Sequence, residues 1–212
     1  MTTPESAETA AATAETAAAT TEVIIRPRRQ GPFPDCPPRE VFPLTTGFIT
    51  PGSDSPGSHT LDASVLMDVY DPTEFVGPGR FERIRVVETD DPFLIEVNWC
   101  ICGTFAASIC GCWDLKFYLD DVDGVGPSSG RLPLEGRVAV DSVPAVPGTN
   151  DDFTRRCYTF QGRVRAGAVK PGAYSLLVVI TLLRGTCDRP GRPLGDYLGF
   201  AQIPVLVFVP GE

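Results

Sequence analysis

The sequence predicts an all-β protein, and three observations support this prediction. Proline and glycine contribute 21 residues each to a chain of 212, a frequency that disfavours long helices and suits short strands joined by turns. From about residue 61 onwards, apolar and polar residues alternate with the period of half-buried strands. Turn-forming residues separate these segments at near-regular spacing. Many short strands in this arrangement indicate a β-sandwich or a β-barrel.

The alternation places the individual strands. The predicted strands cover residues 64–70, 81–87, 93–102, 109–119, 137–140, 155–164, 173–183 and 198–209. An apolar run over residues 41–49 adds one more strand, which Pro43 limits to a sheet edge. The turns between strands are rich in Asp, Gly and Pro, as in Asp123-Gly124 and Pro171-Gly172.

Composition divides the chain into three parts. Residues 1–22 are predicted to form a disordered acidic tail, because a repeated Ala/Glu/Thr heptapeptide supplies no large apolar residue for a coiled-coil seam. Residues 23–60 form a Pro-rich extended segment. Residues 61–212 form the β-sandwich domain.

The charge pattern excludes several classes of function. The net charge is −9, and no basic run is longer than Arg28-Arg29, so we expect no binding to nucleic acid. No stretch approaches the roughly 18 consecutive apolar residues of a membrane span, which predicts no membrane insertion. The first 21 residues contain neither a basic nor an apolar region of a secretory signal. These patterns predict a cytoplasmic protein.

The sequence offers little support for catalysis or for a calcium site. His59 is the only histidine and lies in a polar loop without a nucleophile motif, and no glycine-rich phosphate loop is present. Asp120, Asp121 and Asp123 lack the spacing and the downstream Glu of an EF-hand, so the Asp-Gly pair at 123–124 is interpreted as a turn. We expect no enzyme activity.

The segment from Val169 to Leu176, Val-Lys-Pro-Gly-Ala-Tyr-Ser-Leu, resembles the turn and tyrosine that enter the sixth strand of immunoglobulin-like sandwiches. The resemblance covers about the last 120 residues and implies an immunoglobulin-like (Greek-key) β-sandwich. In that family the tyrosine hydroxyl, here that of Tyr174, ties the corner to the upstream backbone. Antibody domains carry a cysteine two positions later, where this chain has Leu176, so their inter-sheet disulfide is not encoded.

Four cysteines lie in a near-palindromic segment that runs from Trp99 to Trp113 and is centred on Ala106. If its two halves pair as a hairpin, Trp99 faces Trp113, and each cysteine faces another. Alternation then places the core residues on one face and all four cysteines on the other. The core residues are Phe93, Ile95, Val97, Trp99 and Ile101 on the first strand, and Ile109, Trp113, Leu115, Phe117 and Leu119 on the second. The cysteines are Cys100, Cys102, Cys110 and Cys112.

Three interpretations of these cysteines remain open. The four thiolates match the residue count of a zinc site, although one-residue gaps in strands are unusual for structural zinc. Cross-strand disulfides fit the spacing of directly opposed residues, but a cytoplasmic compartment argues against permanent bonds. We favour the third, reduced thiols packed under a second layer or a neighbouring subunit. Cys36, Cys157 and Cys187 complete an odd total of seven, so one thiol stays unpaired within the monomer or pairs between chains.

The last two predicted strands carry more apolar residues than one core requires. Leu177, Val179 and Leu183 lie opposite the core-facing residues of their strand, and Leu206 or its neighbours do the same on the next. Either the strands within residues 41–70 cover this outer face, or another subunit does. We therefore predict a non-enzymatic protein-interaction or assembly module that binds a protein partner or itself. The alternative is a redox- or zinc-responsive protein acting through the four-cysteine hairpin.

Overall fold

Two β-sheets pack face to face, and the inward side chains of both fill the space between them. The structure, a computed structural model, describes residues 46–49, 61–77, 80–103, 106–122, 130–147 and 154–211. These residues contain eleven strands and one turn of 3₁₀ helix. In chain order they are β1 Thr46–Ile49, β2 Leu61–Gly77, β3 Arg80–Arg83, β4 Val86–Glu88, β5 Phe93–Gly103, β6 Cys112–Asp121, β7 Gly130–Ala139, the 3₁₀ turn Val140–Ser142, β8 Val146–Pro147, β9 Thr154–Val164, β10 Gly172–Gly185 and β11 Pro190–Val209.

The first sheet has five antiparallel strands in the order β3-β2-β5-β9-β8. The second has the antiparallel order β1-β11-β10-β6-β7, and β4 joins it by pairing with β11 in parallel. The described residues contain no α-helix. The all-β prediction is therefore confirmed.

Aromatic rings from both sheets form the centre of the core. Trp99 of the first sheet stacks on Tyr158 with ring centroids 5.1 Å apart, and it meets Trp113 of the second sheet edge-on at 6.3 Å. Phe117 and Phe160 stack across the sheets at 5.6 Å. All five rings are buried, and such aromatic pairs contribute about 0.5–1.5 kcal/mol each beyond the area they bury. Except for Ile109, which is partly buried, every residue predicted to face the core from β5 and β6 is buried.

The predicted pairing of β5 with β6 is wrong. β5 lies between β2 and β9 in the first sheet, whereas β6 lies between β10 and β7 in the second. Trp99 does meet Trp113, but through the core rather than as a neighbour in one sheet. Alternation predicts which face a side chain occupies, and it does so equally well for a hairpin and for a crossover between sheets.

Glycines accompany this crossover at both ends. Gly103 ends β5 with φ 139°, and Gly111 precedes β6 with φ 133°, a backbone conformation that side chains with a Cβ rarely adopt. A Cβ at Gly111 would also overlap the carbonyl oxygen of Leu183. Gly103 and Gly111 therefore lie at the two ends of the connection through which the chain passes from the first sheet to the second.

Other strand predictions also need correction. The segment 81–87 divides into β3 and β4, which belong to different sheets. The short β8 was not predicted, and β7 begins at Gly130 rather than at residue 137. The edge strand predicted within 41–49 corresponds to β1, which pairs with β11 at the edge of the second sheet.

Candidate interaction surface

The outer face of the first sheet is covered by a network of polar side chains. Glu96 accepts hydrogen bonds from Asn98 Nδ2 at 2.7 Å and from Gln161 Nε2 at 2.6 Å. Thr159 Oγ1 donates to Asn98 Oδ1 at 2.8 Å. These four side chains alternate with core residues on β5 and β9 and are half-buried. Because they satisfy one another, this face is suited to contact with water.

Charged residues continue this polar face onto β2 and β3. Asp68 forms ion pairs with Arg83 at 3.1 Å and with Arg85 at 3.7 Å. Beside them, partial burial raises the pKa of the Tyr70 hydroxyl above its usual value of 10, although a hydrogen bond with Arg83 opposes the shift. Two apolar residues also lie on this face: Leu66, which is 60% exposed, and the half-buried Leu94, the register partner of Tyr70.

The outer face of the second sheet carries a group of apolar side chains on its central strands, with Lys116 and Gln202 beside them as register partners of Val179 and Leu177. Val179 of β10 is paired in register with Phe200 of β11, and Leu177 lies opposite Tyr118 of β6. All four side chains are half-buried. We call this set, together with Leu198, the apolar face. The apolar face contains part of the apolar surplus that the sequence predicted. Of the predicted residues, Leu177 and Val179 are half-buried on this face, whereas Leu183 and Leu206 are buried.

The N-terminal strands do not cover the apolar face. β1 extends the second sheet at its edge, and β2 lies inside the first sheet. Exposed valines extend the apolar character of the second sheet towards β4, with Val86 57% and Val205 46% exposed. In the part of the chain that the structure describes, the strands within residues 41–70 therefore do not cover the apolar face.

Charges on the outer sides of β6 and β7 border the apolar face. Asp114 is buried and forms ion pairs with Arg137 at 3.3 Å and with Lys116 at 3.5 Å. Arg131 pairs with Glu135 at 2.6 Å. With the exposed Asp120, the outer sides of these two strands carry three acidic and three basic residues. This border is electrically neutral, although the chain as a whole has a charge of −9.

The structure does not bring the four predicted cysteines together. Cys100 is disulfide-bonded to Cys157 on the outer side of the first sheet, and Cys112 at the start of β6 is bonded to Cys187 in the connection between β10 and β11. Cys102 is also disulfide-bonded, and Cys110 is a free, exposed thiol. The expectation of reduced, packed thiols is therefore wrong for Cys100, Cys102 and Cys112. No group of three or more His, Cys, Asp or Glu within the described part of the chain is arranged to hold a metal ion.

The disulfide partners Cys157 and Cys187 were missed because each lies far along the chain, 57 and 75 residues from its partner. One signal was available for the first pair. Cys157 alternates with core residues in its own predicted strand, so it shares the outward orientation of Cys100, which it faces directly in register with Cα atoms 4.1 Å apart. No comparable signal identified Cys187, which lies in the connection between β10 and β11.

The remaining candidates contribute no site. Asp120 and Asp121 end β6, while Asp123, His59 and Cys36 lie outside the described residues, as does the predicted tail. Tyr174 is buried and packs edge-on against Phe208 at 5.7 Å. The expectations of no enzyme activity and no nucleic-acid binding stay predictions.

Comparisons with known proteins give no match, either to a protein-family model or to a curated protein. The part of the chain that the structure describes has no helix of the length and apolarity that crossing a membrane requires.

Proposed function

We propose that this protein is a non-enzymatic assembly module in which two copies associate through their apolar faces. The observation that carries the proposal is the difference between the two outer faces of the sandwich. The first sheet presents a hydrogen-bonded polar network, whereas the second presents half-buried Leu177, Val179 and Phe200. A group of half-covered apolar side chains on the outer face of a β-sheet is typical of a contact with another protein.

The neutral border supports a second copy as the occupant of this face. Two chains of charge −9 repel one another over most orientations. The border of the apolar face carries balanced charges, so a symmetric contact there avoids most of this repulsion. A two-fold contact also places the same patch against itself, which is the usual geometry of homodimers.

We also propose that the sandwich is an immunoglobulin-like Greek key. In that fold the first, second and fifth strands share one sheet, and the seventh, sixth, third and an added strand share the other. The order β2-β5-β9 and the order β11-β10-β6-β7 fit this scheme. The buried Trp113 of β6 supports it too, since these domains carry a core tryptophan on the third strand.

The disulfides favour an oxidising compartment over the cytoplasm that the sequence predicted. Cys100–Cys157 and Cys112–Cys187 close loops of 57 and 75 residues, and permanent disulfides persist mainly outside reducing compartments. We therefore propose that the protein works in an oxidising environment. The zinc- and redox-responsive alternative is not carried forward, because Cys100 and Cys102 lie in the first sheet, Cys112 lies in the second, and all three are disulfide-bonded.

Sedimentation velocity of the oxidised protein over a concentration series tests the assembly proposal. We expect a reversible monomer–dimer equilibrium whose Kd rises at least tenfold in Val179→Lys, about 1.4 kcal/mol of association energy. Leu66→Lys introduces the same charge on the outer face of the first sheet and is expected to leave the Kd unchanged.

Two results would overturn the proposal. One is a wild-type protein that stays monomeric at about 100 µM, a concentration at which even weak dimers with micromolar Kd form. The other is an equal effect of Val179→Lys and Leu66→Lys, which would place the contact elsewhere. Circular dichroism and tryptophan fluorescence verify that each variant is folded, and Leu177→Lys provides a second substitution on the same face.

A further inference from the structure

The end of β10, the start of β11 and the connection between them concentrate exposed positive charge. Arg184, Arg189 and Arg192 are all exposed there, and Asp188 is the one acidic residue between them. We call residues 184–192 the arginine hairpin. Its net charge of about +2 at neutral pH contrasts with the −9 of the whole chain.

The three arginines take part in no ion pair that the described residues form, whereas other exposed arginines of the fold do. Arg83 and Arg85 pair with Asp68, and Arg137 pairs with Asp114. With no acidic partner among the described side chains, these exposed guanidinium groups can offer their donors to a ligand. Their planar, two-pronged geometry matches a carboxylate group.

The arginine hairpin is held in place covalently. Cys187, at its centre, is bonded to Cys112 at the start of β6. Arg137 Nη1 donates to the carbonyl of Cys187 at 3.5 Å, and the backbone N–H of Arg189 donates to the carbonyl of Thr186 at 3.1 Å. Gly185 pairs with Pro190 across the hairpin. A loop fixed in this way loses less conformational entropy when it binds a partner.

We propose that the arginine hairpin is a docking site for an acidic segment of a partner protein. This interaction goes beyond the proposed self-association and uses a different surface. A short run of Asp and Glu side chains fits the extent of the hairpin. A long polyanion fits poorly, because it requires an extended basic track and would meet the negative potential of the rest of the molecule.

Fluorescence anisotropy with a labelled peptide of about ten glutamates tests the proposal, at salt concentrations of about 50 and 150 mM to vary the Debye screening. A peptide of equal length made of glutamine and serine is the neutral control. We expect saturable binding of the glutamate peptide alone, weakened by salt. The variant Arg189→Glu/Arg192→Glu is expected to weaken it at least tenfold.

A matched variant separates a local site from a general charge effect. Arg163→Glu/Lys170→Glu changes the net charge by the same amount at two exposed positions. Arg163 lies on the first sheet, and Lys170 precedes the opposite end of β10 from the hairpin. We expect this variant to bind the peptide within about twofold of the wild type, because screening limits the reach of surface charges.

A third variant examines the role of the disulfide. Cys112→Ala/Cys187→Ala keeps all the arginines, and in folded protein we expect it to bind the peptide more weakly than the wild type because the hairpin is no longer fixed. Val179→Lys is expected to bind the peptide normally, while Arg189→Glu/Arg192→Glu is expected to dimerise normally. Failure of this inference and failure of the assembly proposal are thereby distinguished.

Three results would overturn the inference. The first is no binding of the glutamate peptide at about 50 mM salt, the lower of the two concentrations, where surface electrostatics are stronger. The second is equal weakening of peptide binding by both charge-reversal variants, and the third is binding of a sulfated polysaccharide such as heparin in place of the peptide. The last result would assign the hairpin to a polyanion rather than to an acidic protein segment.

Discussion

The hydroxyl group of Tyr158 donates a hydrogen bond to the backbone carbonyl of Val140 at 3.1 Å. The same carbonyl accepts a second bond from Arg156 Nη1 at 2.9 Å, and Arg156 Nη2 donates to the carbonyl of Ala107 at 3.0 Å. Val140 opens the 3₁₀ turn after β7, and Ala107 lies in the crossover from β5 to β6. Two side chains of β9 thus secure two connections that change sheets, the one from β5 to β6 and the one from β7 to β8.

Replacing Tyr158 by phenylalanine removes the hydroxyl, and with it this hydrogen bond, while the buried ring is kept. Because the phenol is buried, we expect Tyr158→Phe to lower the free energy of unfolding by about 1 kcal/mol, the usual net value of a buried hydrogen bond. Urea denaturation followed by tryptophan fluorescence measures the change. Tyr118→Phe, on the half-buried apolar face, is the control. A loss in Tyr158→Phe no larger than in the control would contradict the prediction.

Burial also makes the stability sensitive to alkaline pH. Removal from water raises the pKa of Tyr158 above its usual 10, and this outweighs the opposing effect of the nearby Trp113 and Arg156 side chains. The folded protein therefore keeps the phenol proton at a pH where the unfolded chain has begun to release it. The contribution of this pKa shift to the free energy of unfolding is complete below about pH 10 and is lost as pH rises through the pKa of Tyr158 in the folded protein.

Denaturation at a series of pH values between about 8 and 11.5 tests this dependence. We expect the free energy of unfolding to fall above about pH 10, and to fall less steeply in Tyr158→Phe. The measurements use a Cys110→Ser background, since a free thiolate exchanges with disulfides at high pH. Equal slopes in the two proteins would exclude Tyr158 as a source of the effect.

Alternation was sufficient to predict the all-β class and the core faces of the central strands. The inward positions of Ile95, Val97 and Leu115 depend only on the sequence of each strand, because neighbouring side chains point to opposite faces. The strand partner of β5 depends on the path of the chain, which residues 99–113 leave open. The palindrome around Ala106 is equally compatible with a hairpin and with a crossover.

The candidate surfaces also include one part that the sequence predicts and one part that it does not. The apolar excess at Leu177 and Val179 was visible in the sequence, since both faces of one strand are apolar. The arginine hairpin was not, because its character depends on the bond between Cys112 and Cys187 across 75 residues. Pairings at such separation leave no periodic trace in a single sequence.

Each described disulfide is expected to contribute substantially to stability. Closure of loops of 57 and 75 residues reduces the entropy of the unfolded chain by a similar amount in each case. We expect a loss of about 2–5 kcal/mol from either double alanine variant, Cys100/Cys157 or Cys112/Cys187. Thermal and urea denaturation measure both losses, with Cys110→Ala as the control within about 0.5 kcal/mol of the wild type.

The two disulfides differ in their local effects. Loss of Cys112–Cys187 is expected to speed amide exchange selectively in the arginine hairpin, since Cys187 lies at its centre. The Cys100–Cys157 bond joins two adjacent strands and holds no loop. Its loss is therefore expected to speed exchange across β5 and β9. Hydrogen–deuterium exchange followed by mass spectrometry distinguishes these patterns. Identical exchange in the two variants would show that neither bond acts locally.

Gly136 lies where the core leaves no room for a side chain. A Cβ atom there would overlap the Phe160 ring, lying 2.7 Å from its Cδ2 atom. Alanine usually stabilises a strand relative to glycine by about 0.5–1 kcal/mol. Here we expect Gly136→Ala to destabilise the protein instead, by about 1–3 kcal/mol from overpacking.

A double-mutant cycle with Phe160→Leu tests the cause. If the Phe160 ring is the obstacle, the smaller leucine relieves the overlap, and the double variant is more stable than the sum of the two single effects predicts. Pro133→Ala, at an exposed position of the same strand, controls for general effects on β7. Additive free energies in the cycle would show that Gly136 is required for the backbone of β7 rather than for the space beside Phe160.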